Sequence, residues 1–233
     1  MKIAIMQPYF MAYIGYFQLI NAVDKFVIYD NIKYTKKGWI NRNRILVKGK
    51  DQYISLPLKK DSDYLNINER VLSDAWVNEK RKLLNKLKDS YAKSPFYSSV
   101  IILLEDILNH SEKNLFNFIL NSIQKVCYYL DIKTPIVKSS SLNIDNSLKG
   151  TLKVIEICNF LKSNSYLNPI GGMDLYNKDE FLKSHIDLSF LKSDKIIYNQ
   201  FEYNFLPFLS IIDILMFNNK PEIREFLNKY SLI

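Results

Sequence analysis

Cysteine, histidine and glycine are scarce in this chain of 233 residues, and each scarcity excludes a class of site. The two cysteines, Cys127 and Cys158, lie in apolar helical patterns, which indicates buried reduced thiols rather than a disulfide framework. The two histidines, His110 and His185, occur in no HxxxH or CxxC context, so no zinc signature is present. A GxSxG motif is also missing, which leaves a Ser-His-Asp triad without support. We therefore expect no metal and no cofactor.

Long apolar runs are missing as well. No stretch of eighteen apolar residues occurs and no signal peptide precedes the first apolar run, so we expect a cytoplasmic protein without membrane insertion. Six glycines and seven prolines are too few for a linker-rich chain, and 48% of the residues are hydrophobic. We expect one domain over residues 1–233. The net charge of +8 suits anionic partners, although solvated surface lysines explain it more simply.

The first thirty residues set the fold class. A short apolar run at residues 2–6 predicts a buried strand that ends before Pro8, because proline cannot donate to a sheet. Apolar residues then recur at helical spacing over residues 9–23, and a second apolar run covers residues 25–29. Strand, helix and strand with no hairpin turn between them predict a right-handed parallel crossover.

The rest of the chain extends this pattern. Residues 45–47 and 53–56 flank Lys48-Gly49-Lys50-Asp51, which predicts a β-hairpin, and residues 66–71 are consistent with a short edge strand. Three helices predicted between about 75 and 130, the third capped by Ser111, form a helical middle insertion. Further elements are expected in the order strand 135–138, helix 151–162, strand 166–167, helix 178–184, strand 188–191, helix 205–217 and helix 221–230. The sequence thus predicts an α/β fold with a Rossmann-like, mostly parallel sheet, a β-hairpin and a helical middle insertion.

Polar residues follow the predicted strands, where ligands bind in open parallel sheets. Asp30 and Asp174 are candidate catalytic carboxylates, because a carboxylate there can accept a proton. The candidate substrate-binding residues are amides, cations, a phenol and a diglycine that can approach a sugar or a diphosphate: Gln7, Tyr9, Lys36, Asn41, Asn43, Arg44, Gly171, Gly172 and Gln200. Turn and capping roles are the alternative for Gln7 and Asn43, and a plain turn is the alternative for the diglycine. The hypothesis requires the loop after the first strand and the diglycine bend to line one hollow.

Two further groups of polar residues have alternative interpretations. A basic run at residues 80–88 has no interleaved aromatic residues and no recognised nucleic-acid motif, so we favour a solvated helix face over an RNA-binding surface. Ser210 and Asp213 lie three residues apart in an apolar segment. They either brace the diglycine loop or act as helix-capping groups, since unpaired burial costs about 1–3 kcal/mol.

Several segments resemble the WbqC-like protein family across essentially the whole chain. The N-terminal segments are MQPYF, YIGYFQLINAVDKFVIYD and GWINRNRI. The later segments are ISLPLKK, YAKSPFY, NPIGGMDLY, YNQF and FLPFLSIIDILM. Members of that family often occur among bacterial surface-polysaccharide (O-antigen) biosynthesis genes, so the resemblance implies a role in making or decorating glycans. Many relatives carry histidine immediately before the Gln-Pro pair, where this chain has Met6. A thioether is neither a general acid nor a general base, so either this histidine is not essential in the family or its role has moved to another residue in this chain.

The resemblance and the polar residues together suggest a transferase that brings two substrates together. We expect an acyl or aminoacyl group to pass from an activated acyl donor to the amine of a nucleotide-linked amino sugar. One alternative is a non-catalytic accessory protein that binds a sugar nucleotide or a glycan. Another is an aminoacyl transferase that binds transfer RNA as its donor. Nucleic acid is otherwise not an expected partner.

Overall fold

A computed structural model describes all 233 residues and contains eight strands and eight α-helices. The strands are β1 (Lys2–Met6), β2 (Lys25–Ile28), β3 (Arg42–Val47), β4 (Lys50–Ser55), β5 (Ile136–Lys138), β6 (Ser165–Pro169), β7 (Asp187–Ser193) and β8 (Tyr230–Leu232). The helices are α1 (Ile14–Asn21), α2 (Trp76–Tyr91), α3 (Tyr97–Leu108), α4 (Leu115–Leu130), α5 (Gly150–Phe160), α6 (Lys178–Leu182), α7 (Ile211–Phe217) and α8 (Lys220–Phe226). No helix has the length and apolar character needed to span a membrane.

Six strands form one sheet in the order β5-β2-β1-β6-β7-β8, and β3 and β4 form a separate antiparallel hairpin. The first five strands of the sheet are parallel, and β8 runs antiparallel to β7 at the edge. Without the hairpin, the chain fills the sheet in the order 3-2-1-4-5-6, which is the Rossmann order. The predicted α/β class, the mostly parallel sheet and the hairpin are confirmed.

Each face of the sheet is covered, as parallel sheets require. Successive residues of β1 point to opposite faces, so Ala4 joins a cluster of 47 buried residues, while Ile3 and Ile5 join a separate cluster of 12. The larger cluster contains residues of α1 to α4, α7 and α8, and the smaller one contains residues of α5 and α6. The helical middle section therefore packs on the face opposite to α5 and α6.

The hairpin turn consists of Lys48 and Gly49, both with positive φ (49° and 77°). Positive φ at both central positions matches the twist of the two strands and favours glycine at the second position. A Cβ at Gly49 would also lie 2.8 Å from the ring of Tyr203. The glycine therefore allows both the turn and the close approach of this ring.

The predicted edge strand at residues 66–71 is wrong. Ile67–Glu69 is a 3₁₀ turn, with isolated bridges on either side of it. Asn66 and Glu69 form a capping box, in which the Asn66 backbone N–H donates to the Glu69 carboxylate at 2.7 Å. These local hydrogen bonds satisfy backbone groups that would have paired with a neighbouring strand if the segment were an edge strand.

Several helix boundaries also differ from the prediction, and α1 begins at Ile14 rather than at residue 9. Asn114 rather than Ser111 caps α4, through its side chain and the N–H of Asn117. Ser210 caps α7 through the N–H of Ile212, so this helix begins at residue 211 rather than 205. The last helix stops at Phe226, and Tyr230, the predicted last residue of that helix, begins β8.

Candidate functional site

The loops after β1 and β6 begin side by side. These strands are paired in the register Lys2↔Ser165 to Ala4↔Leu167, and both end at the same edge of the sheet. From β1 the chain first moves towards β2 and β5, and later returns to β6 on the other side of β1. The gap between β1 and β6 is thus the topological switch point, where open α/β sheets bind ligands. The Gln7 loop and the diglycine bend both start there, as the hypothesis of a shared hollow requires.

Asp30 follows β2 at this edge and is only 1% exposed. Its Oδ1 accepts hydrogen bonds from Ser139 Oγ (2.8 Å) and the Ser140 N–H (2.9 Å). Its Oδ2 accepts from Ser140 Oγ (2.6 Å) and Asn68 Nδ2 (3.1 Å). The pairing of β2 with β5 brings the two serines to Asp30. Ser140 is exposed, so it connects the buried carboxylate with the solvent.

A buried lysine stands beside this cluster. Lys153 of α5 is 3% exposed, and its Nζ donates to Asn146 Oδ1 at 3.2 Å. Asn146 Oδ1 also accepts from Asn31 Nδ2 at 2.9 Å, next to the end of β2. Burial lowers the pKa of Lys153, and the carboxylates of Asp145 and Asp30 oppose this shift. The site therefore combines a carboxylate, an exposed hydroxyl and a lysine with a lowered pKa, a combination suited to proton transfer.

The diglycine bend belongs to the 3₁₀ helix Ile170–Leu175 after β6. A Cβ at Gly172 would lie 2.9 Å from the side-chain oxygen of Asn168, whereas nothing lies within 4 Å of a Cβ at Gly171. Gly172 is buried and Gly171 is exposed. Gly172 therefore allows the bend to pack on the end of β6, and Gly171 is the glycine that a ligand can approach. Asp174 is exposed near the end of the same helix.

We expect Gly172→Ala to lower the free energy of unfolding by about 1–3 kcal/mol, because the new methyl group overpacks against Asn168. Gly171→Ala is the matched control, with an expected change within about 0.5 kcal/mol. Urea unfolding of the two variants and the wild type measures the difference. Equal losses in the two variants would contradict the packing role of Gly172.

Gln7 and Tyr9 leave polar atoms free at the switch point. The Gln7 side chain is half-buried and makes no hydrogen bond within the protein, while its carbonyl accepts from Tyr16 Oη at 3.0 Å. The Tyr9 ring packs on Tyr16 with centroids 5.7 Å apart, and burial raises the pKa of its hydroxyl. Met6 is the last residue of β1 and packs on the larger core cluster. The Gln7 amide is thus available to a ligand.

The side-chain amides of Asn41 and Asn43, in contrast, are occupied inside the protein. Asn43 is 5% exposed, and its Nδ2 donates to the carbonyls of Phe10 (3.2 Å) and Met11 (2.8 Å). Asn41 Nδ2 donates to the Leu56 carbonyl at 2.8 Å. Both residues therefore hold the base of the hairpin, and Asn43 fastens it to the loop between β1 and α1.

The two predicted cations, Lys36 and Arg44, each lie in an ion pair. Lys36 Nζ is 2.6 Å from an Asp63 carboxylate oxygen, and both side chains are exposed. Arg44 Nη1 is 2.9 Å from Asp51 Oδ2, and its guanidinium lies 5.5 Å from the ring centroid of Trp39. Both pairs involve the hairpin or the loop before it, and neither joins the Asp30 cluster.

Gln200 belongs to a separate buried network around Asp213. Gln200 Nε2 and Tyr198 Oη both donate to Asp213 Oδ2 at 2.7 Å, and Tyr91 Oη donates to Oδ1 at 2.8 Å. Gln200 Oε1 accepts from the Leu206 N–H at 2.7 Å. Asp213 is therefore neither a brace of the diglycine loop nor a helix cap, and the Gln200 amide is fully used.

Two further features bear on what the site can do, namely the reactivity of the two thiols and the position of an apolar cavity. Burial raises the pKa of Cys127 and Cys158 to about 12, so neither thiol is a ready nucleophile. A mainly apolar cavity of about 590 Å³ opens beyond β7, with Tyr13, Tyr198 and Phe205 among its lining residues. Some of its lining residues follow the end of β7, which lies three strands away from β2 in the sheet.

Ser139, Ser140, Asn68 and Lys153 are site residues that the sequence hypothesis omitted. The polar stretch after β5 was a signal for the serines, because it follows a strand in the same way as Asp30 does. No comparable signal marks Asn68 or Lys153, since each comes to the site through tertiary packing. The spacing of apolar residues along a short amphipathic helix does not show that a lysine such as Lys153 is buried.

The geometry defines an α/β protein with Rossmann strand order and a polar, hydrogen-bonded cluster around Asp30 where its parallel strands end. The model of the WbqC-like protein family matches residues 7–225, and the chain belongs to that family. It is also 27% identical over 230 residues, 97% of each chain, to the uncharacterized protein Rv1507c of Mycobacterium tuberculosis (strain ATCC 25618 / H37Rv). No solved structure matches the chain.

Proposed function

We propose that this protein is a cytoplasmic enzyme of glycan biosynthesis that transfers an acyl or aminoacyl group to the amine of a nucleotide-linked amino sugar. Membership of the WbqC-like family supports the setting. The hydrogen bond of 2.6 Å between Ser140 Oγ and Asp30 Oδ2 carries the chemical part of the proposal. It joins an exposed hydroxyl to a buried carboxylate at the ligand-binding edge of the sheet.

In the proposed reaction, the amine nitrogen of the sugar attacks the carbonyl carbon of the donor. A C–N bond forms, the bond from that carbon to the sulfur or oxygen of the leaving group breaks with its electron pair staying on that atom, and the nitrogen loses one proton. The leaving group departs as the anion, or as the neutral thiol or alcohol once it takes up a proton. Ser140 accepts this proton while passing its own to Asp30, so the hydroxyl acts as a relay. The ammonium group of Lys153 attracts the Asp30 carboxylate, and in this proposal it balances part of the carboxylate charge before the transfer.

The free groups at the switch point supply substrate binding. Gln7 and Gly171 lie on the loops that follow the paired strands β1 and β6, and in this proposal the sugar nucleotide binds between these loops. The apolar cavity beyond β7 accommodates the apolar part of an acyl donor. Holding both substrates along one sheet edge provides the proximity that accelerates a bimolecular transfer.

A non-catalytic accessory protein is the second candidate, and one observation favours it. All four acceptor positions of the Asp30 carboxylate are filled by donors of the protein itself, as in a carboxylate with a structural role. An accessory protein would bind the sugar nucleotide at the switch point and show no turnover.

Mass spectrometry distinguishes the two candidates. The purified protein is incubated with UDP- and dTDP-linked amino sugars and a panel of acyl thioesters and aminoacyl-tRNAs. A mass increase of the sugar nucleotide equal to the acyl group supports the enzyme. Thermal stabilisation by a sugar nucleotide without any mass increase across the panel supports the accessory protein, and no response in either measurement contradicts both.

A further inference from the structure

A second, basic groove lies between the hairpin and α2, and it is distinct from the strand-end site. Its volume is about 1040 Å³. Two carboxylates, Asp89 and Glu202, and five lysines line it, which gives a formal charge of +3. The lysines are Lys48, Lys82, Lys86, Lys88 and Lys93. A concave surface with this excess of positive charge attracts anions.

Three of these lysines take part in neither an ion pair nor a side-chain hydrogen bond. Lys82 pairs with Glu79 at 2.7 Å, and Lys86 Nζ donates to the Tyr53 carbonyl at 3.1 Å. Lys48, Lys88 and Lys93 are exposed and take part in no ion pair of the structure. Their ammonium groups are therefore available to bind phosphate groups of a ligand.

The arrangement of the lysines indicates a chain of phosphates rather than one diphosphate. Along the helix axis, the unpaired Lys88 and Lys93 lie about 7.5 Å apart, and Lys82, which is paired with Glu79, lies about 9 Å before Lys88. Lys48 reaches the same groove from the hairpin turn. A diphosphate needs cations that converge on one point, whereas these cations follow the length of a groove. The concave shape does not suit a flat membrane surface.

Aromatic side chains complete the groove, and they come from a distant part of the sequence. Phe201 and Tyr203 line its wall, with their rings edge to face at a centroid distance of 6.3 Å. Tyr203 is 46% exposed and rests on Gly49, which has no Cβ to displace it. The basic run of α2 lacks interleaved aromatics in the sequence, and the fold supplies them. Lysines beside an exposed aromatic ring are the pattern of a single-strand binding surface.

We propose that this groove binds a single-stranded segment of nucleic acid, with Lys48, Lys88 and Lys93 on its phosphates and Tyr203 stacked on a base. The proposal does not depend on acyl transfer, because it concerns binding at a different surface. RNA and DNA share the phosphodiester backbone, and both are therefore tested.

Fluorescence anisotropy with labelled single-stranded RNA and DNA of mixed sequence tests the proposal. Three phosphate contacts predict that log K falls with log salt with a slope of about −2, measured between about 50 and 200 mM salt. The double variant Lys88→Gln, Lys93→Gln is expected to bind more weakly to every sequence and to reduce the magnitude of the slope by about 1.4. Tyr203→Leu, which keeps apolar cover over Gly49, is expected to weaken binding at least about fivefold with little change of slope.

The matched control is Lys80→Gln, Arg81→Gln, which removes two cations from the same helix outside the groove. This control is expected to keep most of the wild-type affinity and its slope. Equal losses in both double variants would overturn the groove in favour of a diffuse charge effect. Binding too weak to detect at low salt would overturn it outright, and so would full displacement of the oligonucleotide by equimolar UDP. Thermal unfolding of each variant shows that it is folded.

Discussion

We expect Asp30→Asn to lower the rate of acyl transfer by roughly 10²- to 10⁴-fold, the range that a positioned general acid or base contributes. The amide keeps the size of the carboxylate but does not accept a proton from Ser140. Its NH₂ group also faces hydroxyl and amide donors where the carboxylate offered oxygen atoms only. The measurement is the initial rate of mass transfer to the sugar nucleotide at saturating concentrations of both substrates.

Variants of two adjacent serines distinguish the loss of the proton relay from a general loss of structure. Ser140→Ala removes the hydroxyl that donates to Asp30 at 2.6 Å, whereas the exposed Ser141 hydroxyl donates to the Lys138 carbonyl at 2.7 Å and does not touch Asp30. Ser140→Ala is expected to reduce the rate at least tenfold, because a relay of this kind typically contributes about 10²-fold or more. Ser141→Ala is expected to retain the wild-type rate. Similar rates in these two variants would contradict the relay.

The sheet could be predicted from the sequence because its strands carry local signals. The apolar run before Gln7-Pro8 and the run before Asp30 each end where a strand must end, and β1 and β2 are observed there. The topological rule for parallel sheets then placed Asp30 and the diglycine bend at one edge, which the strand order confirms. These parts of the site depend on strand ends and not on side-chain packing.

Side-chain partners could not be predicted in the same way. Asn43 and Gln200 carry polar groups that a ligand could use, but the fold gives both amides partners within the protein. Some of these partners are more than ten residues away in the sequence, so only tertiary packing decides whether the amide is free. The basic run of α2 illustrates the opposite case. The sequence alone predicts an ordinary solvated face, whereas in the fold Phe201 and Tyr203 line the same groove as the lysines of this run.

The Asp213 network is expected to produce the largest effect on stability. Asp213 is fully buried and accepts hydrogen bonds from Tyr91, Tyr198 and Gln200 without a cation nearby. Asp213→Ala leaves these three donors without their acceptor, and each unsatisfied buried group costs about 1–3 kcal/mol. Allowing for partial rearrangement, we expect a loss of about 3–5 kcal/mol from a total of about 5–15 kcal/mol.

Urea unfolding at neutral pH measures this loss. The matched control is Asp187→Ala, which removes an exposed carboxylate that makes no side-chain hydrogen bond, and its expected effect is within about 0.5 kcal/mol. Tyr198→Phe removes only one of the three donors and is expected to cost about 1 kcal/mol. A loss below 1 kcal/mol for Asp213→Ala would show that the network does not stabilise the fold.

The pH dependence of stability gives an independent check on the same residue. Burial raises the pKa of Asp213, and the hydrogen bonds from Tyr198, Tyr91 and Gln200 lower it by less. A raised pKa means that the folded state holds the proton more tightly than the unfolded state does. The stability from this group is therefore complete below the unfolded pKa and is lost as the pH rises through the folded pKa. Asp213→Asn cannot titrate, so the stability of the wild type minus that of the variant should fall as the pH increases from about 4 towards neutrality. A difference that grows with pH would mean that the folded protein favours the ionised carboxylate and that hydrogen bonding to this group outweighs its burial.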